Sequence, residues 1–309
     1  MIEARDVSKR YGDKTAVDGV TFTVKPGVVT GFLGPNGAGK STTIRMIMGL
    51  DAPTSGQVTV NGRSYADHVA PLREVGALLE ARAVHTGRSA YNHLLALALT
   101  SGIPRSRVDE VVDLVGLQDV ARKRVGGFSL GMGQRLGVAA ALLGDPATLV
   151  LDEPVNGLDP QGILWIRNLL RGLAAEGRTV FVSSHLMSEM ALTAEHLIVI
   201  GRGRLIADTS VQEFIDRASR KIVRVRTQQA TELRDLLAGP DIGVTSVERG
   251  LLEVAGLSGT EIGQVACRNA IALEELTPIQ ASLEEAFMEL TDEAVEYRTD
   301  TAAQEREAS

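Results

Sequence analysis

Eight consecutive residues, Gly34-Pro35-Asn36-Gly37-Ala38-Gly39-Lys40-Ser41, match the phosphate-loop pattern G-x-x-x-x-G-K-[ST] at every fixed position, with Thr42 directly behind them. Glycines let successive backbone N–H groups turn inward toward a polyphosphate, and a helix that starts near Lys40 adds its unpaired N–H groups and positive dipole end. Lys40 supplies a positive charge for the β- and γ-phosphates, and the Ser41 hydroxyl is a hard oxygen ligand for Mg²⁺. The alternative is a chance match in a chain with 32 glycines. The apolar run before the loop and the helical pattern after it favour nucleotide binding.

A pair of carboxylates, Asp152 and Glu153, ends the apolar run 148–151. If that run is a buried strand, both side chains lie at its C-terminal edge, where ligands bind in open α/β sheets. One carboxylate can then hold Mg²⁺ while the other polarises the attacking water. Two structural acids at a strand end are the alternative, but their place behind a phosphate loop favours the catalytic interpretation.

Four other residues are candidates by their positions in the chain. His185 and Glu80 each follow an apolar run, so each falls at a strand edge that faces the ligand crevice. Tyr11 is an aromatic residue in a polar loop and can stack on a purine ring. Ser129 precedes an apolar helix as its N-cap. Taken singly, each also has a structural interpretation: a satisfied histidine, an exposed acid, a tyrosine that pins a turn and a capping serine.

The composition is that of an ordinary globular protein: 309 residues, of which 44% are hydrophobic and 23% are charged. A net charge of −7 and a pI of about 5.4 indicate no basic surface for nucleic-acid phosphate, so no nucleic-acid partner is expected. The single cysteine, Cys267, excludes an intramolecular disulfide framework and is typical of a reducing compartment. The start of the chain lacks the basic and apolar regions of a secretory signal, and no apolar run approaches the ~20 residues that span a bilayer. We expect a cytoplasmic protein whose role at a membrane depends on a partner.

The apolar patterns predict an α/β domain over residues 1–220, which supplies the strand edges for these candidates. A helical insert is expected at about 89–144, with helices over 91–100, 105–115 and 130–143. Polar residues 8–14 predict a turn between the first two strands. The predicted strands cover residues 2–7, 20–24, 28–33, 57–62 (ending in an Asn61-Gly62 turn), 75–80, 148–153, 179–184 and 196–200, and the other predicted helices cover 42–50, 160–176 and 210–219.

A smaller second domain is predicted over residues 221–292. Its elements follow the order β-α-β-β-α-β of a split βαβ arrangement, which makes it an α+β domain. No charged catalytic cluster falls in this part of the sequence, which indicates a regulatory or interface module. The acidic tail 293–309 is expected to be disordered. The predicted strands are 222–226, 243–247, 251–254 and 272–276, and the predicted helices are 231–237, 260–269 and 281–290.

These motifs, in this order, resemble the nucleotide-binding subunit of ATP-binding cassette (ABC) transporters over roughly residues 1–220. The resemblance implies a P-loop ATPase fold that binds and hydrolyses ATP with Mg²⁺. Tyr11 corresponds to the family's adenine-stacking aromatic residue, and His185 to its switch histidine. Residues 34–41 correspond to the Walker A loop, 149–152 to Walker B followed by the catalytic Glu153, 156–159 to the D-loop ending at Asp159, and Phe128-Ser129-Leu130-Gly131-Met132 to the signature L-S-G-G-Q.

Two departures from the family pattern narrow the resemblance. Leu130 stands at the first glycine of the signature and Met132 at its glutamine. Glu80 stands where the glutamine of the Q-loop usually sits. Both departures resemble a subfamily of exporters similar to the daunorubicin and bacitracin resistance systems, in which an added C-terminal domain is common. Export of a drug, antibiotic or other hydrophobic compound is the implied function.

The same resemblance implies how the residues act. Two copies of the chain pair head to tail, so that the Ser129 hydroxyl and helix N–H groups of one copy meet the γ-phosphate held by the other. The dimer opens and closes on a separately encoded membrane-spanning permease, which implies a peripheral protein at the cytoplasmic face of the membrane. The implied catalytic residues are Lys40, Glu153 and His185, and the implied Mg²⁺ contacts are Ser41, Asp152 and Glu80.

Two other classes of protein are weaker matches. A soluble ABC ATPase that remodels a ribosome or nucleic-acid complex usually carries two cassettes in one chain, or long coiled-coil or zinc insertions. This sequence has one cassette and neither a heptad run nor a cysteine cluster. A P-loop kinase or GTPase leaves the motifs at Ser129 and His185 unexplained.

Overall fold

Two compact units make up the computed structural model, which describes residues 1–79, 84–218, 222–240, 242–279 and 282–291. The first unit is built on Met1–Val211, and the second spans Gln212–Leu290. Three predictions fall on residues outside these ranges: the role of Glu80, the start of the second domain at Lys221, and the tail 293–309. Among the helices of the described residues, none is both long and apolar enough to cross a membrane.

The strands of the first unit form two sheets. In chain order they are β1 (Ile2–Tyr11), β2 (Lys14–Val24), β3 (Val29–Leu33), β4 (Ser55–Val60), β5 (Val75–Leu78), β6 (Thr148–Asp152), β7 (Thr179–Ser184), β8 (His196–Gly201) and β9 (Arg204–Ser210). An antiparallel sheet has the order β2-β1-β4. The larger sheet has the order β5-β6-β7-β3-β8-β9 and is parallel except for β9. This is the predicted α/β architecture.

The helices of the first unit include the predicted insert. They are α1 (Lys40–Ile47), α2 (Pro71–Glu74), α3 (Ala90–Thr100), α4 (Arg105–Leu114), α5 (Leu130–Leu142), α6 (Pro160–Ala175), α7 (Met187–Thr193) and α8 (Val211–Ala218), which begins at the boundary between the units. Helices α3, α4 and α5 pack on one another between β5 and β6 in the chain, and α5 also packs against β5. The helical insert is therefore confirmed, with bounds within one residue of those predicted.

Strand β3 lies in the interior of the larger sheet and leads directly into the phosphate loop. Every residue of β3 and of its neighbour β7 is buried, as is typical of parallel strands covered on both faces. Phe32 on β3 and Phe181 on β7 have ring centroids 5.0 Å apart, and Phe22 on β2 lies 5.9 Å from Phe181. These rings pack the antiparallel sheet against the larger one. Each aromatic pair contributes ~0.5–1.5 kcal/mol to the free energy of unfolding beyond the effect of its buried area.

The structure corrects one local prediction, contains a helix that was not predicted, and confirms a predicted turn. Residues 8–14 do not form a long turn, because β1 continues to Tyr11, β2 starts at Lys14, and a two-residue turn at Gly12 and Asp13 joins them. Polar side chains are compatible with pairing here because this end of the hairpin is exposed. Helix α7 was not predicted, since seven residues are too few to establish a helical period. The Asn61-Gly62 turn is confirmed, with φ values of +51° and +78°.

The second unit has the predicted split βαβ arrangement. Its elements are β10 (Ile222–Arg226), α9 (Ala230–Leu237), β11 (Gly243–Glu248), β12 (Leu251–Ala255), α10 (Gly259–Arg268), β13 (Glu275–Ile279) and α11 (Leu283–Thr291). The antiparallel sheet has the order β11-β12-β10-β13. Its core is formed by apolar residues of β10, β12, α9 and α10. Strand β13 lies three residues later than predicted and includes Pro278, which an edge strand tolerates.

The close packing of α5 on β5 generates a stability prediction. A Cβ on Gly76 of β5 would lie 2.0 Å from the carbonyl oxygen of Ala141 in α5, so Gly76→Ala should lower the free energy of unfolding by about 1–3 kcal/mol. The matched control is Gly172→Ala in α6, where a Cβ meets no atom within 4 Å and should stabilise the helix by up to ~1 kcal/mol. Urea unfolding followed by the fluorescence of the single tryptophan, Trp165 in α6, measures both. Unchanged stability of Gly76→Ala would contradict the packing.

Candidate functional site

The phosphate loop connects the buried end of β3 to the start of α1. Gly39 occupies the N-cap position of α1 with φ +105°, and a Cβ there would lie 2.6 Å from the carbonyl oxygen of Ala16. A Cβ on Gly34 would lie 2.5 Å from the carbonyl oxygen of Ile200 at the end of β8. Close packing therefore requires glycine at both ends of the loop, and at Gly39 the left-handed backbone conformation requires it as well. The loop therefore packs against β2 and β8, and it ends at the N-terminus of α1, where backbone N–H groups are available to bind an anion.

Lys40 is folded back onto this loop. Its side chain is buried, and Nζ donates hydrogen bonds to the carbonyl oxygens of Gly34, at 2.6 Å, and Pro35, at 3.2 Å. Burial lowers the pKa of Lys40, and the negative charges of Glu153 and Asp152 oppose that shift. The ammonium group is thus held at the floor of the loop beside two carboxylates. A polyphosphate seated in the loop would give this buried cation a stronger partner.

Parallel pairing of β6 and β7 sets Asp152 opposite Ser183 in the sheet register. The Ser183 hydroxyl donates a short hydrogen bond to Asp152 Oδ1, while the Ser41 hydroxyl donates to Asp152 Oδ2 at 3.3 Å. One carboxylate and one hydroxyl from the loop therefore lie side by side. This donor set fits Mg²⁺, which takes hard oxygen ligands and usually binds through one or two protein groups, several waters and substrate phosphates.

Glu153 and His185 lie together at the carboxyl ends of the same two strands. His185 Nδ1 is 2.7 Å from Glu153 Oε2, and the His185 backbone N–H donates to that oxygen at 3.4 Å. The Glu153 N–H donates to the hydroxyl of Ser183 at 3.0 Å. Glu153 has φ +51°, in the left-handed region that residues other than glycine rarely adopt. A carboxylate fixed in this way beside an imidazole can orient and polarise a water molecule.

An open cleft of about 690 Å³ gathers most of the predicted site residues. Tyr11 is half exposed on its wall, where its hydroxyl donates to Asp51 Oδ2 at 2.8 Å and Lys9 Nζ lies 5.0 Å from the ring centroid. Arg45 and then the Tyr11 hydroxyl lower the pKa of Asp51 to about 2. Tyr11 therefore has a fixed position and an accessible ring. The predicted residues on the wall of the cleft are Tyr11, Pro35, Asn36, Gly37, Gly39, Lys40, Ser41, Thr42, Asp152 and Glu153.

Sequence reasoning missed part of this wall. Lys14, Thr15 and Ala16 at the start of β2 also line the cleft, together with Arg202 in the turn between β8 and β9. That turn is fixed against the phosphate loop, because the Gly203 N–H donates to the carbonyl oxygen of Ala38 at 3.0 Å. For Arg202, the only sequence pattern that pointed to the cleft is its position in a Gly-Arg-Gly turn directly after an apolar strand. The order of the strands, which brings β8 beside β3, cannot be read from that pattern.

The signature residues lie elsewhere in the same unit. Ser129 caps α5, with its hydroxyl accepting a hydrogen bond from the Met132 N–H at 3.2 Å. Ser129 and Leu130 are exposed and line a separate depression with Val125 and Phe128 rather than the nucleotide cleft. Within one chain, the structure thus does not bring the signature to the phosphate loop.

Asp159 and Glu80 are the remaining predicted site residues. The Asp159 carboxylate caps α6 by accepting a hydrogen bond from the Gly162 N–H at 2.8 Å. Glu80 lies outside the described residues, so its expected Mg²⁺ contact stays a prediction. Gln134 belongs to none of the predicted motifs, yet it is buried and its Nε2 donates to the Glu153 carbonyl oxygen at 2.9 Å.

Comparison with known proteins gives relatives of both units. The sequence profile of the ABC transporter family matches residues 17–156, and that of a domain of unknown function, DUF8746, matches residues 221–284. The chain is 38% identical to an ABC transporter ATP-binding protein of Bacillus subtilis, YhcH, over 96% of this chain and 97% of that protein. It is 37% identical to the bacitracin transport ATP-binding protein BcrA of Bacillus licheniformis, over 94% of this chain and 97% of that protein. The dimeric structure of MJ0796, a bacterial ABC transporter cassette, matches with a TM-score of 0.62 and 26% identity, covering 68% of this chain and 98% of that one.

The position of Arg202 generates a prediction about nucleotide binding. Arg202→Gln removes a positive charge from the wall of the cleft and should raise the KM for ATP about two- to fivefold with little change in kcat, the size expected for an exposed charge contact. Arg204→Gln is the matched control, because Arg204 pairs with Asp18 at 2.8 Å and does not line the cleft. Steady-state ATP hydrolysis measures both variants. Equal KM values for the two would show that Arg202 does not contact the nucleotide.

Proposed function

The chain belongs to the ABC transporter family of ATPases, and on that premise we propose that it is the ATP-hydrolysing subunit of an efflux transporter. It acts as a head-to-tail dimer on a separately encoded membrane-spanning subunit, at the cytoplasmic face of the membrane. The main support for the proposal is that the predicted motifs lie at two separate surface sites of one chain. Lys40, Asp152 and Glu153 share one cleft, while Ser129 lies exposed at a separate depression.

The residues of the cleft support a direct route to hydrolysis. The N–H groups of the phosphate loop and Lys40 bind the triphosphate, and the ring of Tyr11 is available to stack on the adenine. Ser41 and Asp152 would hold Mg²⁺, and the ion would supply positive charge to offset the negative charge of the triphosphate. Glu153 orients the attacking water with His185 beside it.

The separate place of Ser129 supports the dimer. Its hydroxyl and the first N–H groups of α5 form a capped helix N-terminus, which favours an anion. If a second copy approaches head to tail, that helix end can meet the γ-phosphate held in the first copy's cleft. ATP then stabilises the dimer because it contacts both copies, and hydrolysis weakens the contact.

The relatives support the transport assignment and suggest its cargo. BcrA of Bacillus licheniformis is named for bacitracin transport, and it is similar to this chain along nearly its whole length. We therefore infer that the cargo is an antibiotic or another hydrophobic compound and that it is exported. A soluble ABC ATPase that remodels ribosomes or nucleic acid is the alternative, and the net charge of −7 favours the transporter.

The features of the second unit support a role for it that is separate from ATP hydrolysis. It has its own apolar core and its own sheet, and the profile at residues 221–284 names no activity. We propose that residues 221–292 form an accessory module that regulates the ATPase or binds another subunit.

The head-to-tail site predicts the behaviour of three variants in ATP. Glu153→Gln should bind ATP, hydrolyse it at least about a hundredfold more slowly and accumulate as a dimer. Adding Ser129→Asp should abolish that dimer while each monomer still binds ATP, because aspartate keeps the helix cap but repels the γ-phosphate. Lys40→Ala should lose ATP turnover. Light scattering of size-fractionated protein and titration calorimetry with ATP measure dimer and affinity.

Ser129→Asn in the Glu153→Gln chain is the matched control, since asparagine also caps a helix but carries no charge, and it should keep the dimer. Two results would contradict the proposal: a Glu153→Gln chain that stays monomeric at saturating ATP, or a dimer that survives Ser129→Asp.

The transporter assignment predicts stimulation by a membrane partner. The protein encoded beside this chain should contain about six apolar segments of ~20 residues and co-purify with it. In vesicles, that complex should hydrolyse ATP faster when bacitracin or a similar antibiotic is added, and the same complex with Lys40→Ala should show no turnover. Turnover that ignores antibiotics but rises with ribosomes or nucleic acid would favour the alternative function.

A further inference from the structure

Helix α5 contacts the segment that follows β6 at two points. Leu130 and Gln134 are four residues apart and therefore lie on one face of the helix. Gln134 reaches Glu153, and Leu130 reaches Gly157 four residues further along the chain. The helix that begins at the signature thus spans both ends of the turn between the proposed catalytic carboxylate and the D-loop.

The first contact fixes the backbone of Glu153. Gln134 is only 4% exposed, and its Nε2 donates to the Glu153 carbonyl oxygen at 2.9 Å. The N–H of Glu153 donates to the Ser183 hydroxyl on the other side. Both polar backbone groups of Glu153 therefore have side-chain partners. A residue with φ +51° persists when its surroundings determine its conformation, and these two bonds do so.

The second contact fixes the turn after Glu153. The Asn156 N–H donates to the Glu153 carbonyl oxygen at 3.2 Å, which closes the turn. A Cβ on Gly157 would lie 2.2 Å from Leu130 Cδ2 and 2.3 Å from Leu130 Cγ, so the leucine fills the space that a larger residue would need. Gly157 also has φ +74°. Leu130, one of the two signature residues that depart from the family pattern, is thus packed directly on the D-loop of its own chain.

We propose that Gln134 and Leu130 are positioning residues for Glu153. They hold its carbonyl group and the following turn, so that its carboxylate stays beside His185 in the orientation that hydrolysis requires. Neither residue lines the nucleotide cleft of its own chain, so their side chains act on the ATP bound there through Glu153. The inference rests on the proposed role of Glu153 as the residue that orients the attacking water.

The first test separates positioning from binding and from general stability. Gln134→Met preserves length but cannot donate to the Glu153 carbonyl, so kcat should fall about tenfold or more while ATP affinity changes less than about threefold. The same substitution in the Glu153→Gln chain should lower the remaining turnover by less than about twofold, because the group it positions is already lost. Turnover assays and titration calorimetry on the full chain measure these values.

The second test uses the contact between Leu130 and Gly157, which lies at the surface. Gly157→Ala should lower kcat because its Cβ meets Leu130, and Leu130→Gly in the same chain should recover at least about threefold by removing the clash. Gly177→Ala is the matched control: Gly177 has φ +91°, but a Cβ there meets no atom within 4 Å. Gly177→Ala introduces the same kind of backbone strain but no contact with Leu130, so it should leave kcat unchanged.

Three outcomes would overturn the inference alone: loss of ATP affinity in Gln134→Met, losses that multiply when Gln134→Met and Glu153→Gln are combined, or no recovery of Gly157→Ala by Leu130→Gly. Wild-type turnover in Glu153→Gln would overturn the proposed function and this inference with it. The turnover of Glu153→Gln by itself therefore distinguishes the two failures.

Discussion

Parallel pairing of β6, β7 and β3 is the constraint on which the site depends. It sets Leu33 beside Ser184 and Asp152 beside Ser183, so residues more than a hundred positions apart end at one edge of the sheet. The phosphate loop, the two carboxylates and His185 are then neighbours without any long loop to position them. Rigid buried strands hold these groups, which is why their separations are fixed before any ligand binds.

The electrostatics of this edge are balanced for a polyphosphate. Burial lowers the pKa of Lys40, because a cation in a poorly hydrated site is disfavoured, and Glu153 and Asp152 offset only part of that penalty. The ammonium group bonds to the carbonyl oxygens of its own loop. A triphosphate adds negative charge next to Lys40, so its binding energy includes stabilisation of this buried cation. Mg²⁺ in turn would offset the repulsion between that triphosphate and the two carboxylates.

Local patterns predicted the parts of this structure that local physics decides. Residue types and hydrophobic period were sufficient to predict the phosphate loop, the apolar strands with polar ends, the helical insert and the split βαβ order. Arg202 and Gln134 could not be found in that way. Each acts on a residue that is distant in the chain, and contact depends on strand order and helix packing. The hairpin at Gly12 was mispredicted for a related reason: exposed polar residues accept pairing when a neighbouring strand offers it.

Helix α5 gives one departure in the signature, Leu130, a physical meaning. Its first turn presents Ser129 outward, and the same turn and the next one hold the Glu153 segment inward through Leu130 and Gln134. In the proposed dimer, one helix therefore belongs to two sites: its N-terminal end faces the partner's triphosphate, and its Leu130 and Gln134 contact the Glu153 segment of its own chain. A leucine at position 130 is compatible with this arrangement because position 157 is glycine. The two positions form one packing unit, and a change at either must be interpreted with the other.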